Sequence, residues 1–177
     1  MRCLSFNARS IVTKMSDLFY VVDVLRPDIV GITETWADDT VSDAELGIAG
    51  FDLYRKDRGN GRRGGGVALY VKSCLQSTGF SLKTEFPEHV WCQIPNHGGP
   101  DLLVGVCYKT PTADVFAVDL DGLLRRLIHE VSHRHLLLMG DFNYGDIDWS
   151  SPGAEPATEA SKLFLDCLDD CFLTRST

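Results

Sequence analysis

Seven short runs of apolar or β-branched residues govern what this chain can fold into: Cys3–Asn7, Asp28–Thr33, Phe51–Arg55, Val67–Val71, Val90–Ile94, Leu102–Tyr108 and Leu136–Asp141. Each has strand length and is bounded by Gly, Pro or Asp, so each reads as a sheet element. Three longer stretches carry helical spacing instead. Ser16 to Leu25 sets Leu18, Phe19, Val22 and Leu25 on one face, with Ser16 as N-cap and Arg26-Pro27 as the stop. The spacing predicts a second helix over about 116–132 (Leu120, Leu123, Leu124, Leu127, Ile128, Val131). A third is predicted over about 158–171 (Leu163, Phe164, Cys167, Leu168, Cys171). Strands mixed with a few long helices predict an α/β layered domain, its sheets covered by helices and its functional groups at strand ends.

The last strand run matters most for chemistry. Leu136-Leu137-Leu138-Met139-Gly140-Asp141-Phe142-Asn143 brings an Asp and an Asn, two residues apart, to an exposed strand end. Strand side chains alternate between faces, so Asp141 and Asn143 address the same side, and Gly140 lets the backbone turn. A lone pair of this kind is also an ordinary turn. Three other strand ends carry groups that suit it: Asn7, Glu34 and Tyr108. Together they suggest phosphate-ester hydrolysis. A hard cation such as Mg²⁺ takes one or two carboxylates plus water, and Glu34 supplies the first. An Asp orients or deprotonates the attacking water, while amide and phenol donors stabilise charge on phosphorus.

Composition bounds the rest. With 177 residues and 44% hydrophobic content the chain is expected to form a single domain over 1–177. No apolar run approaches the roughly 18 residues of a membrane span, and the N-terminus is too short in apolar length for a signal peptide. An intracellular, reducing setting without membrane association is the expectation. The six cysteines form no C-x-x-C pair, and Cys3, Cys92 and Cys107, lying in strand runs, are expected to be buried thiols. His129 and His133 fall four apart on the second helix without an H-E-x-x-H motif, which reads as a solvated face.

A net charge of −8 argues against a protein that coats nucleic acid, so any contact with DNA must be local. One local exception exists: Arg55, Lys56, Arg58, Arg62 and Arg63 lie within nine residues, opposed in sequence by Asp57. The segment reads either as a solvated loop or as a contact for DNA phosphates. Gly59-Asn60-Gly61-Arg62-Arg63-Gly64 formally matches a dinucleotide fingerprint. That motif requires a helix to open after the glycines, whereas Gly65-Gly66-Val67-Ala68-Leu69-Tyr70-Val71 continues as a strand, so a hairpin turn is expected.

The combined runs Asn7-Ala8-Arg9-Ser10, Asp28 to Trp36, Arg55-Lys56-Asp57-Arg58, Gly64 to Val71 and Gly140-Asp141-Phe142-Asn143-Tyr144 resemble the endonuclease/exonuclease/phosphatase superfamily. Within it they resemble the endonuclease domain of non-LTR (LINE-type) retrotransposons, of the chicken-repeat and jockey groups. The resemblance covers essentially the whole chain. It implies a DNase I-like fold, a two-sheet sandwich flanked by helices. It also implies that Asn7 and Glu34 hold the metal side of the site with Mg²⁺ or Mn²⁺, that Tyr108 contacts the scissile phosphate, and that Asp141 activates water with Asn143 assisting. DNA is the implied partner, beside a reverse transcriptase region in an intact parent element. A working enzyme would be nuclear, an inactive one cytoplasmic.

Two departures from the family pattern stand out. Tyr108-Lys109-Thr110-Pro111 replaces the usual Tyr-Arg-Pro-Pro, keeping a positive charge but losing a planar donor fork. The family's final Ser-Asp-His motif has no counterpart among the 34 residues after Asn143. The expectation is a domain incomplete at its C-terminus, lacking the last strands, with impaired cleavage of phosphodiesters. The alternatives are a catalytically inert remnant or interaction module, and a phosphatase for small esters, against which the retrotransposon-like runs count.

Overall fold

The computed structural model describes residues 1–59, 64–111, 120–130, 134–150 and 155–174. All seven sequence runs are strands: β1 Cys3–Asn7, β2 Ile29–Thr33, β3 Phe51–Lys56, β4 Val67–Lys72, β6 His89–Ile94, β7 Leu102–Tyr108 and β8 His135–Asp141. A short edge strand, β5 Thr78–Phe80, joins them. Three residues are too few to carry an alternating pattern, so the sequence did not announce it. The helices are α1 Met15–Leu25, α2 Asp43–Leu46, α3 Leu120–Glu130 and α4 Glu159–Asp170. The parts of the second expected helix at 116–119 and 131–132 lie outside the described residues, as does His133.

Two four-stranded sheets form, in the orders β1-β2-β4-β3 and β5-β6-β7-β8. Each combines one parallel pair, β1 with β2 and β7 with β8, with antiparallel neighbours. The sheets stack as the two-sheet sandwich expected, and alternation along β4 shows why. Val67, Leu69 and Val71 join Ile29, Val104, Val106 and Met139 between the sheets. Ala68 and Tyr70 point outward to a second core with Leu18 and Val22 of α1 and Leu46 of α2. A third core packs Leu123, Leu124, Leu127, Phe164 and Cys167 of α3 and α4 against Trp91, Leu103 and Cys107. Burial of this kind, about 25 cal/mol per Å² of apolar surface, is what orders the four layers.

Several local expectations need correction. Ser16 is not the N-cap of α1; the helix starts at Met15, after a 3-10 turn over Val12–Lys14, and Lys14 occupies the cap position without a side-chain capping bond. Of its anticipated apolar face, Leu18 and Val22 are buried while Phe19 and Leu25 remain exposed. Leu163 of α4 is likewise exposed, because the helix turns Phe164, Cys167 and Leu168 inward. Cys92 and Cys107 are buried, but Cys3 opens an edge strand and is exposed. Burial pushes the Cys92 thiol up to about 12 and the Cys107 thiol higher still, so both are inert. The glycine-rich segment joins β3 to β4 as antiparallel neighbours. Among the described residues no helix is long and apolar enough to cross a membrane.

Candidate active site

Strand register creates the rim on which the site lies. Asn7 ends β1 opposite Thr33, the residue before Glu34, and Tyr108 ends β7 opposite Asp141 of β8. Parallel pairing in both sheets carries all four strands to the same end of the sandwich. Side chains then close the ring across the two sheets. Asn7 Nδ2 donates to Asp141 Oδ2 at 2.9 Å, and the Tyr108 hydroxyl donates to Glu34 Oε1. Asn143 follows on the turn, its backbone N–H bonded to Asp141 Oδ1 at 3.2 Å and its amide to the Lys109 carbonyl at 2.5 Å. The five residues singled out from the strand ends therefore meet in one continuous set of contacts.

Strain gathers at this rim. Of eight non-glycine residues with positive φ among those described, five are here: Arg9, Ser10, Glu34, Trp36 and Asn143. Conformations of this kind cost about 1–3 kcal/mol each and persist where surrounding bonds enforce them. Ser10 N–H on the Glu34 carbonyl (2.9 Å) and Trp36 N–H on that of Gly65 (3.0 Å) are such bonds. Gly140 carries φ +157, and a Cβ there would lie 2.1 Å from the Cys107 carbonyl oxygen of the neighbouring strand. Only glycine lets β8 stay that close to β7 immediately before Asp141.

Glu34 is the most heavily solicited carboxylate on the rim. Besides Tyr108, it accepts from Trp36 Nε1 and from the Gly65 N–H at 3.0 Å. Partial burial disfavours its charge, but these donated bonds, with Arg58 nearby, prevail and hold the carboxyl below the usual glutamate range. Burial and the same carboxylate push Tyr108 in the other direction, far above the ordinary phenol range, so it stays protonated. Its proton points at Glu34, and donation to a phosphate requires the hydroxyl to turn. Among the described residues no group of three His, Cys, Asp or Glu side chains forms a ready metal cage. What the rim offers is oxygen, from Glu34, Asn7 and Asp141. A hard divalent cation held mostly by water fits that donor set; a metal that needs thiolates or imidazoles does not.

The basic segment is less free than its sequence suggests. Arg55 is held by Asp43 (2.8 Å), Asp57 (3.5 Å) and the Val41 carbonyl (2.6 Å). Arg58 forms a two-pronged pair with Glu88, at 2.6 and 3.2 Å. Lys56 is exposed, and Arg62 and Arg63 lie outside the described residues. Two residues that sequence reasoning passed over belong to the site's surroundings: Trp36, which grips Glu34, and Glu88. Only the fold reveals Glu88, since a Glu ahead of a strand reads as solvated.

Solved structures share this architecture at low sequence identity. An AP endonuclease from Leishmania major (LMAP) superposes with a TM-score of 0.71 at 17% identity, over 96% of this chain and 65% of its own. The endonuclease domain of TRAS1, a telomere-specific non-LTR retrotransposon, gives 0.68 at 14%, over 96% and 71%. The 3′ phosphatase NExo from Neisseria, bound to product DNA hairpin, gives 0.67 at 17%, over 97% and 71%. The chain thus spans about two thirds of the length of these proteins. No curated protein matches it. Residues 4–177 match the model of the Endonuclease/Exonuclease/phosphatase family, and the chain belongs to that family.

Proposed function

We propose that this chain is a divalent-cation-dependent phosphodiesterase that nicks DNA, of the kind found in LINE-type retrotransposons. One observation carries the reading: five polar residues from strand ends as far apart as Asn7 and Asn143 meet on one rim in a chain of this family. The neighbours include an AP endonuclease, a retrotransposon endonuclease domain and a 3′ phosphatase bound to product DNA, which supports a phosphoester in nucleic acid as the substrate. Glu34 and Asn7 would hold Mg²⁺ or Mn²⁺, which when bound neutralises charge on the phosphate. Asp141, with one oxygen fixed by Asn7 and the other by the Asn143 N–H, is oriented to take a proton from water. Tyr108, once its hydroxyl turns from Glu34, and the Asn143 amide would donate to charge that develops on phosphorus. Lys56, Arg62 and Arg63 meet the backbone of the DNA outside the reacting phosphate. In an intact element the freed 3′ end would prime a reverse transcriptase.

The test is conversion of supercoiled plasmid to open circles in Mg²⁺ or Mn²⁺. Nicking that is lost on chelation and in Asp141→Asn supports the proposal. Nicking unchanged by Asp141→Asn would refute the site. Faster release of phosphate from small esters would favour the phosphatase reading, and no cleavage at all beside intact Mn²⁺ binding would favour an inert interaction module.

A further inference from the structure

Glu88 is the only carboxylate in the buried interior among the described residues. Its Oε1 accepts the Gly66 N–H at 2.6 Å and Arg58 Nε at 3.2 Å, and its Oε2 accepts the second prong of the guanidinium at 2.6 Å. The glycine segment wraps this pair closely. A Cβ on Gly65 would stand 2.2 Å from Glu88 Oε1 and 2.3 Å from Arg58 Nε. From there two routes lead to Glu34. Gly65 donates its N–H to Glu34, while the Gly65 and Gly66 carbonyls accept from Trp36 and Thr35. On the other side, the Glu88 carbonyl accepts the Tyr108 N–H at 2.9 Å, and the Arg58 guanidinium lies 5.7 Å from the Tyr108 ring centre. The carboxylate–guanidinium pair thus holds the glycine segment directly and meets Tyr108 through the Arg58 guanidinium, while the Tyr108 N–H is fixed by the Glu88 main chain. A buried charge is expensive and adds little net stability, which leaves the orientation it enforces as its contribution.

We propose that Glu88 is a positioning residue: paired with Arg58, it fixes the Gly65–Gly66 segment and Tyr108, and through them aims the Glu34 carboxylate at the divalent cation. This rests on the reading of Glu34 as the cation's ligand. Supporting residues around a metal ligand typically account for about 10–100-fold in affinity when replaced. Glu88→Gln retains an acceptor for Gly66 but turns a donor toward Arg58.

The experiment titrates Mn²⁺ into the full chain and follows free Mn²⁺ by paramagnetic resonance, with folding checked by circular dichroism and thermal denaturation. Four proteins are compared: the parent, Glu34→Gln, Glu88→Gln, and the double variant Glu88→Leu with Arg58→Met. The double variant swaps the ion pair for apolar groups of similar size, an exchange that commonly leaves stability equal or higher. The expected result is about tenfold or greater loss of Mn²⁺ affinity in Glu88→Gln and in the stable double variant, and a larger loss in Glu34→Gln. Parent-like affinity in the folded double variant, with Glu34→Gln impaired, would overturn the positioning role and leave Glu34 as ligand. Parent-like affinity in Glu34→Gln would overturn both.

Discussion

Gly140→Ala should be among the most damaging single-methyl additions this chain can receive. The new Cβ would sit 2.1 Å from the Cys107 carbonyl oxygen, and 3.1 and 3.2 Å from the Cys107 C and N atoms. All three are backbone, so no side chain can rotate away and β7 and β8 must part where Cys107 pairs with Gly140. The φ of +157 adds conformational cost. Overpacking contributes about 1–3 kcal/mol and backbone strain about 1–2 kcal/mol, for about 3 kcal/mol or somewhat more in total. Against the roughly 5–15 kcal/mol of a typical domain the protein still folds, with a melting temperature about 6–12 °C lower at this chain length. The assay is urea and thermal denaturation followed by far-ultraviolet circular dichroism. Gly145→Ala serves as the control, since an added Cβ there meets nothing within 4 Å. A loss under about 0.5 kcal/mol for Gly140→Ala, within the range of a neutral surface change, would show that the strand spacing is not what requires glycine.

Two further outcomes follow from charge. The folded-state value of Glu34 is depressed, so its contribution is complete above the ordinary glutamate value of about 4.3 and is lost as pH falls through the lower folded-state value. Mn²⁺ binding should hence stay level from pH 7 down to about 5; a decline centred near 6 would point to a different ligand. Replacing Lys56, Arg62 and Arg63 together by Ala should flatten the dependence of DNA affinity on salt by about one logarithmic unit for each phosphate no longer neutralised, and an unchanged slope would remove the segment from the interface.

The strands were legible because burial imposes period two, and β4 is the clearest case: Val67, Leu69 and Val71 must enter one core while Ala68 and Tyr70 enter another. The rim was legible at its strand ends, since polar residues closing apolar runs have nowhere to go but the edge of a sheet. Relationships carried by tertiary contact were not legible. Arg55 and Arg58 look like free cations in sequence, and it takes the fold to bring Asp43 to one and Glu88 to the other. The short helix α2 carries a visible signature, Ser42 capping Glu45 and Glu45 returning to Ser42, but four residues offer too little periodicity to prompt it.

The bond between Asn7 and Asp141 joins residues 134 positions apart, from the outermost strand of one sheet to the outermost strand of the other. Contacts of such separation form only after the intervening chain has been ordered, and folds dominated by them fold slowly. Asn7 and Glu34 emerge early in synthesis and Tyr108 well before Asp141, so a nascent chain holds one part of the rim long before the other. As β8 docks, the halves meet. A chain stalled short of that strand would, on the proposed assignment, carry ligands without a base, and the rim would close in one step as β8 pairs with β7.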